Sequence, residues 1–370
     1  MMQSIEVPLG SRRYPICIGN ASDGELALAI GGLAPAPSRA VIVYDARVEH
    51  LATQVAKGLG LDETRVFLID IPSGEESKSI LQLEHLWKRL LRCGADRKAI
   101  VVAVGGGVIG DLAGFAAATW NRGVRLIQVP TTLLSMVDSS VGGKTGINLP
   151  EAKNVIGSFW HPSLVWADVA SLASLPTREF RSGLAEVVKY GVILDADFFA
   201  TLETDADAIL SRSENALVEI IRRSCLLKAR VVAEDELETT GLRAILNYGH
   251  TFGHAIESLT EYGTLLHGEA VAIGMTMAGQ LAVALQRWTP RSLDRQTRLL
   301  ERFGLPTQIG NEISNAITED RMIEAMMHDK KNAYGQLNLI LPSRIGSVES
   351  VSGVSSELIR KSIAACMARG

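Results

Sequence analysis

The stretch AIVVAVGGGVIGDLAG, residues 99–114, joins an apolar run, a cluster of glycines and the start of a helical pattern. The run at 99–104 is typical of a parallel strand that is buried on both faces. Gly105, Gly107 and Gly110 fit the pattern G-x-G-x-x-G, in which glycines let backbone amides approach a pyrophosphate at a helix N-terminus. The stretch therefore predicts the strand, turn and helix of a dinucleotide site. A glycine-rich turn without a ligand is the alternative.

Four further apolar runs predict strands of the same sheet, and helical patterns at 47–59 and 77–92 separate them. The runs lie at residues 40–45, 65–70, 124–129 and 164–168. Strands that alternate with helices in this way predict a parallel sheet with helices packed on its faces.

Long helical patterns dominate the chain after residue 176, where Thr177 is a candidate helix cap. They lie at 178–194, 213–234, 250–261, 267–286, 290–303 and 318–328, and only LNLILP and GSVES near the end look extended. The sequence thus predicts an α/β domain of residues 1–176, followed by a mostly helical domain of residues 177–370. The expected fold class is α/β plus all-α.

The composition excludes several classes of protein. Of the 370 residues 47% are apolar and 21% are charged, as in ordinary globular proteins, and the net charge of −4 offers no basic field for nucleic acid. The uncharged stretch at 270–286 is too short and too polar to span a bilayer, and the N-terminus does not resemble a signal peptide. Four widely separated cysteines without a CxxC pair predict a reducing compartment, which indicates the cytoplasm.

The acidic ribose partner of a dinucleotide site usually lies about 20 residues after the glycines. Here no Asp or Glu occurs between Asp111 and Asp138, so Asp45, at the end of the strand at 40–45, is the better candidate. The segment PSGEESKS, residues 72–79, follows another strand and is a second candidate for nucleotide contacts, with a solvated helix cap as the alternative.

A second loop, PTTLLSMVDSSVGGKTGIN, residues 130–148, also follows a strand. Its end resembles a Walker A loop, but the required first glycine is replaced by Asp138, which excludes a nucleoside triphosphate site. What remains is a flexible glycine pair that presents Lys144, a compact charge suited to phosphate or carboxylate. Lys153 and Asn154 follow shortly after.

Three of the seven histidines fall within 18 residues, namely His250, His254 and His267. The segment HTFGH has Thr251 where a metalloprotease needs glutamate, so peptide hydrolysis is disfavoured. By spacing, the three histidines could supply a catalytic zinc site. Glu186, in the apolar segment GLAEVVKYG, is another candidate metal ligand, because a buried glutamate needs a charge partner or a metal. A surface pair of Glu186 with Lys189 is the alternative.

The segments GGGVIGD, PTTLLSMVDSSVGGKTGIN, AEVVKYG, GLRAILNYGHTFGHAIE and HGEAVAIGM occur in this order and resemble the 3-dehydroquinate synthase family of sugar phosphate cyclases, over roughly residues 40–340. The resemblance implies a Rossmann-like domain, a helical metal-binding domain, NAD, a divalent metal (zinc, possibly cobalt) and a homodimer. It also implies conversion of 3-deoxy-D-arabino-heptulosonate 7-phosphate to 3-dehydroquinate and phosphate, in the shikimate route to chorismate and aromatic amino acids. The implied steps are transient oxidation by NAD, phosphate elimination, re-reduction, ring opening and aldol closure.

The resemblance also assigns site residues. It implies Glu186, His250 and His267 as the metal ligands and turns His254 toward the substrate. The implied cofactor contacts are Asp45, Ser73, Gly74, Glu75, Lys78, Gly106, Gly107, Val108, Gly110, Asp111, Thr131, Thr132, Lys144 and Lys153. The implied substrate and catalytic residues are Arg122 (from a neighbouring subunit), Asp138, Lys144, Asn154, Lys189, Lys228, Arg243, Asn247, His254 and Lys331, with Lys330 as an alternative to the last. Asn121 and Ser174 depart from the family pattern.

Three other functions stay open at this level. A sister cyclase that makes an inosose or valiolone would share most of these segments. An iron- or zinc-dependent polyol dehydrogenase would share the glycine loop and the helical metal domain, although the lysines at 144–154 and the cluster at 243–250 argue against it. An NAD-binding regulatory module would bind no metal and catalyse nothing.

Overall fold

The computed structural model describes residues 2–22, 24–260, 264–314, 316–329 and 337–367. Contacts within the chain define two compact units. The first unit consists of Met1–Leu175 and Glu214–Leu237, and the second of Pro176–Ser213 and Glu238–Gly370.

The first unit is built on a seven-stranded sheet and a separate hairpin. In chain order its strands are β1 (Gln3–Val7), β2 (Tyr14–Gly19), β3 (Ala40–Asp45), β4 (Val66–Ile71), β5 (Ile100–Gly105), β6 (Arg125–Pro130), β7 (Lys144–Leu149), β8 (Ala152–Phe159) and β9 (Leu164–Asp168). The sheet order is β1-β2-β9-β6-β5-β3-β4, and every pair except β1–β2 is parallel. The predicted parallel sheet is confirmed, and β1 and β2 extend it beyond the predicted strands.

The helices of this unit are α1 (Glu25–Gly31), α2 (Glu49–Gly58), α3 (Ile80–Arg92) and α4 (Gly107–Thr119). Alternate residues of the central strands enter two apolar clusters: Val41 and Val101 belong to one, and Ile42 and Val102 to the other. Both faces of the sheet are therefore covered, which explains why the strands read as continuous apolar runs rather than as alternating ones.

The direction of the strand order reverses between β3 and β5. β4 pairs with one edge of β3, while β5, β6 and β9 continue from the other edge. Open parallel sheets bind ligands at the carboxyl ends of the strands that flank such a reversal. Asp45 ends β3 and Gly105 ends β5, so the topology brings the two sequence-predicted cofactor segments to this one position.

The second unit is mostly helical, as predicted. Its elements are α5 (Thr177–Leu194), α6 (Ala196–Thr204), α7 (Ala206–Leu210), α9 (His250–Leu259), α10 (His267–Ala284), α11 (Pro290–Arg302), α12 (Asn311–Ser314), α13 (Glu319–Asp329), β10 (Asn338–Arg344), β11 (Ser347–Ser352) and α14 (Ser356–Ala364), while α8 (Glu214–Glu234) belongs to the first unit. Thr177 is the first residue of α5 and Pro176 takes the cap position, so the prediction of Thr177 as a cap is wrong.

The position of α8 differs from the sequence-based division at residue 176, which assigned 213–234 to the helical domain. α8 packs on β1, on β2 and on the π-helical turn Ser135–Ser139, all of which belong to the first unit. Its apolar face is therefore buried against the sheet unit although the helix is flanked by segments of the other unit. Among the described residues no helix is both long and apolar enough to cross a lipid bilayer.

Candidate active site

One carboxylate and two imidazoles, here called the trio, meet in the second unit. Glu186 lies in the middle of α5, and His250 and His267 are the first residues of α9 and α10. Nε2 of His250 is 3.5 Å from Oε1 of Glu186, and Nε2 of His267 is 3.8 Å from the same oxygen. Bonds of about 2.0–2.1 Å to a tetrahedral zinc place ligand atoms about 3.4 Å apart. The spacing therefore suits a small divalent cation.

The surroundings of Glu186 favour a bound cation. Glu186 is fully buried and Lys189 is 1% exposed, so the alternative of a surface pair is wrong. The Lys189 ammonium forms an ion pair with Oε2 of Glu186, yet among the described residues neither carboxylate oxygen accepts a hydrogen bond of acceptable geometry. A buried carboxylate left in this state is costly, and a metal ion would satisfy it. The trio therefore fits a divalent metal.

The two histidines of the trio differ in their surroundings. Burial, followed by the charge of Lys189, holds the pKa of His250 well below its usual range, so that imidazole is neutral. Its Nδ1 lies 3.2 Å from the backbone oxygen of Tyr248, which can accept Nδ1–H, and in that tautomer Nε2 carries the lone pair that a metal ion needs. Burial also lowers the pKa of His267, but the hydrogen bond and charge of Glu257 and the charge of Glu186 outweigh it, and the net shift is upward.

Glycines allow the three helices to approach closely enough for the trio to form. A Cβ atom on Gly274 of α10 would lie 2.1 Å from the backbone oxygen of Gly249 and 2.8 Å from the amide nitrogen of Gly253. A Cβ atom on Gly268 would lie 1.9 Å from the backbone oxygen of Ser182 in α5. Backbone therefore packs against backbone at both contacts of α10, and larger residues would separate the helices that carry the ligands.

We expect Gly274→Ala to destabilise the protein by about 1–3 kcal/mol, because the added methyl group overpacks a contact between two backbones. The shift of α9 against α10 should also weaken zinc binding. Thermal melting of the metal-free protein and zinc titration measure the two effects. Gly279→Ala, on the same helix, is the matched control, because the nearest atoms to its Cβ belong to the side chains of Leu293 and Trp288, at 2.7 and 2.9 Å, and not to backbone. Equal effects of the two variants would contradict this explanation.

His254 lies beside the trio, with its ring centroid 5.4 Å from that of His250 and 6.2 Å from that of His267. Two groups of possible ligands occur among the described residues: Glu186 with His250 and His267, and His254 with Glu257 and His267. The three histidines that spacing alone suggested do not form one of these groups. His254 thus contacts the rings of the trio from the side and does not belong to the group that contains Glu186.

Of the remaining predicted residues of the second unit, Arg243 and Asn247 lie a few residues before His250. Arg243 is 3% exposed, and its Nε lies 3.2 Å from Oε1 of Glu238. Asn247 ends the short helix Leu242–Asn247 and is exposed. Lys331 and its alternative Lys330 lie outside the described residues.

In the first unit, Asp45 is held at the end of β3. Its Oδ1 accepts the backbone N–H of Arg47 at 2.9 Å, and it also accepts a hydrogen bond from the Ser73 hydroxyl. Burial raises the pKa of Asp45, but the hydrogen bonds from Arg47 and Ser73 outweigh it and the pKa is lowered. Asp45 is therefore an ionised acceptor next to Gly74, as a partner of ribose hydroxyls would need to be.

A second polar cluster joins three segments that are distant in sequence. Lys78, which is 5% exposed, donates to the carboxylate of Asp111 in α4 and to the side-chain oxygen of Asn154 in β8. Nδ2 of Asn148 donates to Oε1 of Glu75 at 2.7 Å. The structure thus brings together the predicted residues Glu75, Lys78, Asp111 and Asn154, while Lys153 neighbours them on β8.

The glycines after β5 open space at the start of α4. A Cβ atom on Gly106 would lie 3.4 Å from Cγ2 of Thr132, and one on Gly107 would lie 3.2 Å from Oγ of Ser139. Gly110 packs against Gln128 of β6, whose Nε2 donates to the Gly110 oxygen at 3.1 Å. Gly106 is the N-cap of α4, so the amides of Gly107 and Val108 belong to the first turn and have no acceptor within the helix, while Gly110 allows close packing of helix on strand.

Thr131 and Asp138 belong to the segment after β6. The amide of Thr131 donates to the Gly105 oxygen at 2.9 Å, which ties this segment to the glycine turn. Nζ of Lys228 in α8 donates to the backbone oxygen and to Oδ1 of Asp138, both at 2.7 Å. Two predicted substrate residues from opposite parts of the chain are therefore paired, and Lys228 is buried.

The glycine pair that was predicted to be flexible forms a buried, hydrogen-bonded turn. Gly142 and Gly143 are buried with φ of 104° and 70°, in the region that favours glycine. The Gly142 amide donates to the Tyr14 hydroxyl at 3.2 Å, and the Trp160 amide donates to the Gly143 oxygen at 2.7 Å. A Cβ atom on Gly143 would lie 2.6 Å from Nδ1 of His161. The turn fixes the start of β7 and therefore Lys144, whose side chain is exposed.

Sequence reasoning missed the residues that support this turn. His161 stacks on Tyr14, with ring centroids 5.8 Å apart, and its Nε2 lies 2.8 Å from Oε1 of Glu236. The other carboxylate oxygen of Glu236 accepts from Arg12 at 2.7 Å. These side chains come from three distant parts of the chain, so no local pattern could have identified them.

Arg122 is separated from the other predicted residues of the first unit. It ends the short helix Trp120–Arg122 between α4 and β6, at the amino edge of the sheet, whereas the glycine cluster lies at the carboxyl edge. Its φ is 65°, and Asn121 before it has φ of 50° and donates to the Ala95 oxygen at 3.3 Å. At the other departure from the family pattern, the Ser174 hydroxyl donates to the Ser171 oxygen at 3.2 Å.

Solved structures with this combination of sheet unit and helical unit define the class. The chain is similar to 2-deoxy-scyllo-inosose synthase complexed with carbaglucose-6-phosphate, NAD+ and Co2+ (TM-score 0.86, 28% identity, 98% of this chain and 100% of that one). It is also similar to 2-epi-5-epi-valiolone synthase from Streptomyces hygroscopicus subsp. jinggangensis with NAD+ and Zn2+ bound (TM-score 0.83, 29% identity, 95% and 96%). The fold is that of the sugar phosphate cyclases.

Family models narrow this class. Those described as 3-dehydroquinate synthase N-terminal and C-terminal match residues 68–182 and 183–332. The chain is 50% identical to a 3-dehydroquinate synthase of Rhodopirellula baltica over 99% of this chain and 98% of that protein. The chain belongs to the 3-dehydroquinate synthase family.

Proposed function

We propose that the chain converts 3-deoxy-D-arabino-heptulosonate 7-phosphate to 3-dehydroquinate and phosphate, as an NAD- and metal-dependent carbon–oxygen lyase. The observation that carries the proposal is that the imidazoles of His250 and His267 lie beside the Glu186 carboxylate, in a chain of this family. That carboxylate is buried and accepts no hydrogen bond among the described residues. The similar cyclases that bind NAD+ with Co2+ or Zn2+ support the choice of cofactors.

Each cofactor has residues suited to hold it. Glu186, His250 and His267 would bind the metal, and Asp45 with the first-turn amides of α4 would bind NAD. When bound, the metal supplies Lewis acidity toward substrate hydroxyl groups, and NAD supplies transient oxidation at one carbon, so NAD is not consumed overall. The neighbouring contacts proposed for NAD are those of Ser73, Gly74, Glu75, Lys78, Asp111, Thr131, Thr132, Lys144 and Lys153.

The protein's own side chains would bind the anionic substrate and transfer protons. Lysine and arginine suit phosphate and carboxylate groups, and an imidazole such as that of His254 can donate or accept a proton near neutral pH. The residues proposed for these roles are Asp138, Lys144, Asn154, Lys189, Lys228, Arg243, Asn247, His254 and Lys331. Because elimination develops negative charge on the leaving phosphate, fixed cations would stabilise that step.

We also propose a cytoplasmic homodimer in which Arg122 serves the neighbouring subunit. The position of Arg122 at the amino edge of the sheet, away from the glycine cluster of its own unit, supports this role. Four widely separated cysteines without a CxxC pair support the choice of a reducing compartment.

A sister cyclase activity is the main competitor. The identity of 50% with a 3-dehydroquinate synthase, against 28% with an inosose synthase, favours the proposed reaction. A polyol dehydrogenase has weaker support, because solved dehydrogenases such as a glycerol dehydrogenase (18% identity) share only the fold.

Incubation of the purified chain with the heptulosonate phosphate, NAD+ and Zn2+ or Co2+ tests the proposal. We expect release of phosphate, formation of 3-dehydroquinate, no accumulation of NADH, and loss of turnover after chelation that added metal restores. Glucose 6-phosphate and glycerol are the comparison substrates. Turnover of glucose 6-phosphate alone would identify an inosose-type cyclase, and stoichiometric NADH from glycerol would identify a dehydrogenase.

A further inference from the structure

Glu257 lies on the same face of α9 as His250 and His254, at positions i+7 and i+3 from them. This face is turned toward His267 at the start of α10. The two ring nitrogens of His267 face different carboxylates: Nε2 is 3.8 Å from Oε1 of Glu186, and Nδ1 is 3.5 Å from Oε1 of Glu257. Glu257 therefore lies next to the ring nitrogen of His267 that does not face Glu186.

An imidazole that binds a metal through one nitrogen carries a proton on the other, and the acceptor of that proton fixes the tautomer and the ring plane. For His250 the backbone oxygen of Tyr248 faces this second nitrogen at 3.2 Å. We propose that Glu257 performs the same task for His267, as a positioning residue that accepts Nδ1–H and directs Nε2 toward Glu186. This inference rests on the proposed metal site and adds a residue to it.

A direct metal bond to Glu257 is the competing interpretation, because donor atoms of His254, Glu257 and His267 also lie within 4.8 Å of one another. The environments of the two carboxylates favour Glu186 as the ligand. Glu186 is completely buried with both oxygens lacking hydrogen bonds among the described residues, whereas the Glu257 side chain is 14% exposed and keeps some contact with solvent. The greater need for a cation is therefore at Glu186.

Zinc affinity of the metal-free protein tests the proposal without reference to catalysis. We expect Glu257→Gln to raise the Kd for Zn2+ by about 10–100-fold, measured by competition with a chromophoric chelator, while one ion per chain is still bound. Glu257→Asp keeps the charge but withdraws the oxygen, and its Kd should lie between those of the Gln variant and the original chain. Glu349→Gln, which removes an exposed carboxylate paired with Arg287 at 2.7 Å, is the matched control and should leave Kd unchanged.

Comparison with Glu186→Gln separates the possible failures. An unchanged Kd in both Glu257 variants overturns the positioning role, and so does complete loss of binding in Glu257→Gln, because that result would make Glu257 a ligand. If Glu186→Gln itself retains zinc with the original Kd, the proposed metal site is wrong, whatever the Glu257 variants show. The thermal melting of each metal-free variant establishes that it is folded, and the Asp variant serves if the Gln variant is not.

Discussion

Glu186→Ala is expected to abolish both metal retention and turnover. Glu186 contributes the only carboxylate of its ligand group and is fully buried between the two imidazoles and the Lys189 ammonium. Two imidazoles without an anionic partner provide too few ligands and too little charge for a catalytic zinc, which normally has three protein ligands. Metal content after dialysis and phosphate release from the heptulosonate phosphate measure the two losses.

The same substitution also lowers the stability of the fold, so loss of metal binding has to be distinguished from loss of the folded protein. Removal of one member of a buried ion pair costs about 3–5 kcal/mol, because the Lys189 ammonium would be left without its partner. Glu186→Gln keeps the shape of the side chain and is the second variant. Glu179→Ala, a carboxylate two turns earlier on α5, is the control and should retain both metal and turnover. Normal activity of a metal-free Glu186→Ala protein would show that the site is assigned wrongly.

Lys228→Met is expected to lower kcat/KM by about 10²-fold or more with little change in metal content. Nζ of Lys228 donates twice to Asp138, and both residues are proposed to contact the substrate. The substitution removes a fixed cation where the substrate is anionic, and loss of one preorganised donor typically costs about 10²–10³ in kcat. It also deprives the backbone oxygen and the carboxylate of Asp138 of a charged donor.

Steady-state kinetics with varied heptulosonate phosphate, together with bound zinc per chain, measure this result. Arg230→Met is the matched control, because Arg230 is an exposed cation on the same helix and its loss should leave kcat/KM unchanged. Equal and small effects of the two substitutions would rule out a role for the buried Lys228 in catalysis.

Much of the fold could be predicted because its signals are local. The strands β3 and β9 begin and end at the predicted residues, and β5 is displaced by one residue from the predicted run. Central parallel strands are buried on both faces, so continuous apolar runs identify them. β1 and β2 were not predicted, because only pairing with a distant strand, β9, joins them to the sheet. The placement of α8 depends in the same way on contacts with distant elements.

The spacing of residues in the sequence was not enough to predict which side chains form the metal-ligand group. Helical periodicity correctly places His250 and His254 on one face of α9, and from there three histidines form a reasonable ligand set. The structure instead groups Glu186 with His250 and His267, because glycine contacts at Gly268 and Gly274 bring α5 and α9 against α10. Which carboxylate completes the group depends on how helices that are separated in sequence pack.

By itself the sequence determined the order of the elements, the glycine turn after β5, and which side chains have the chemistry to bind a dinucleotide, a metal and an anion. Only the tertiary structure decided that Glu186 is buried without hydrogen bonds, that Lys228 pairs with Asp138, that His161 packs against the Gly143 turn and that Glu257 faces His267. The physical reason is that periodicity and turn chemistry act within a few residues of the chain, whereas burial and the pairing of charges depend on side chains that only folding brings together.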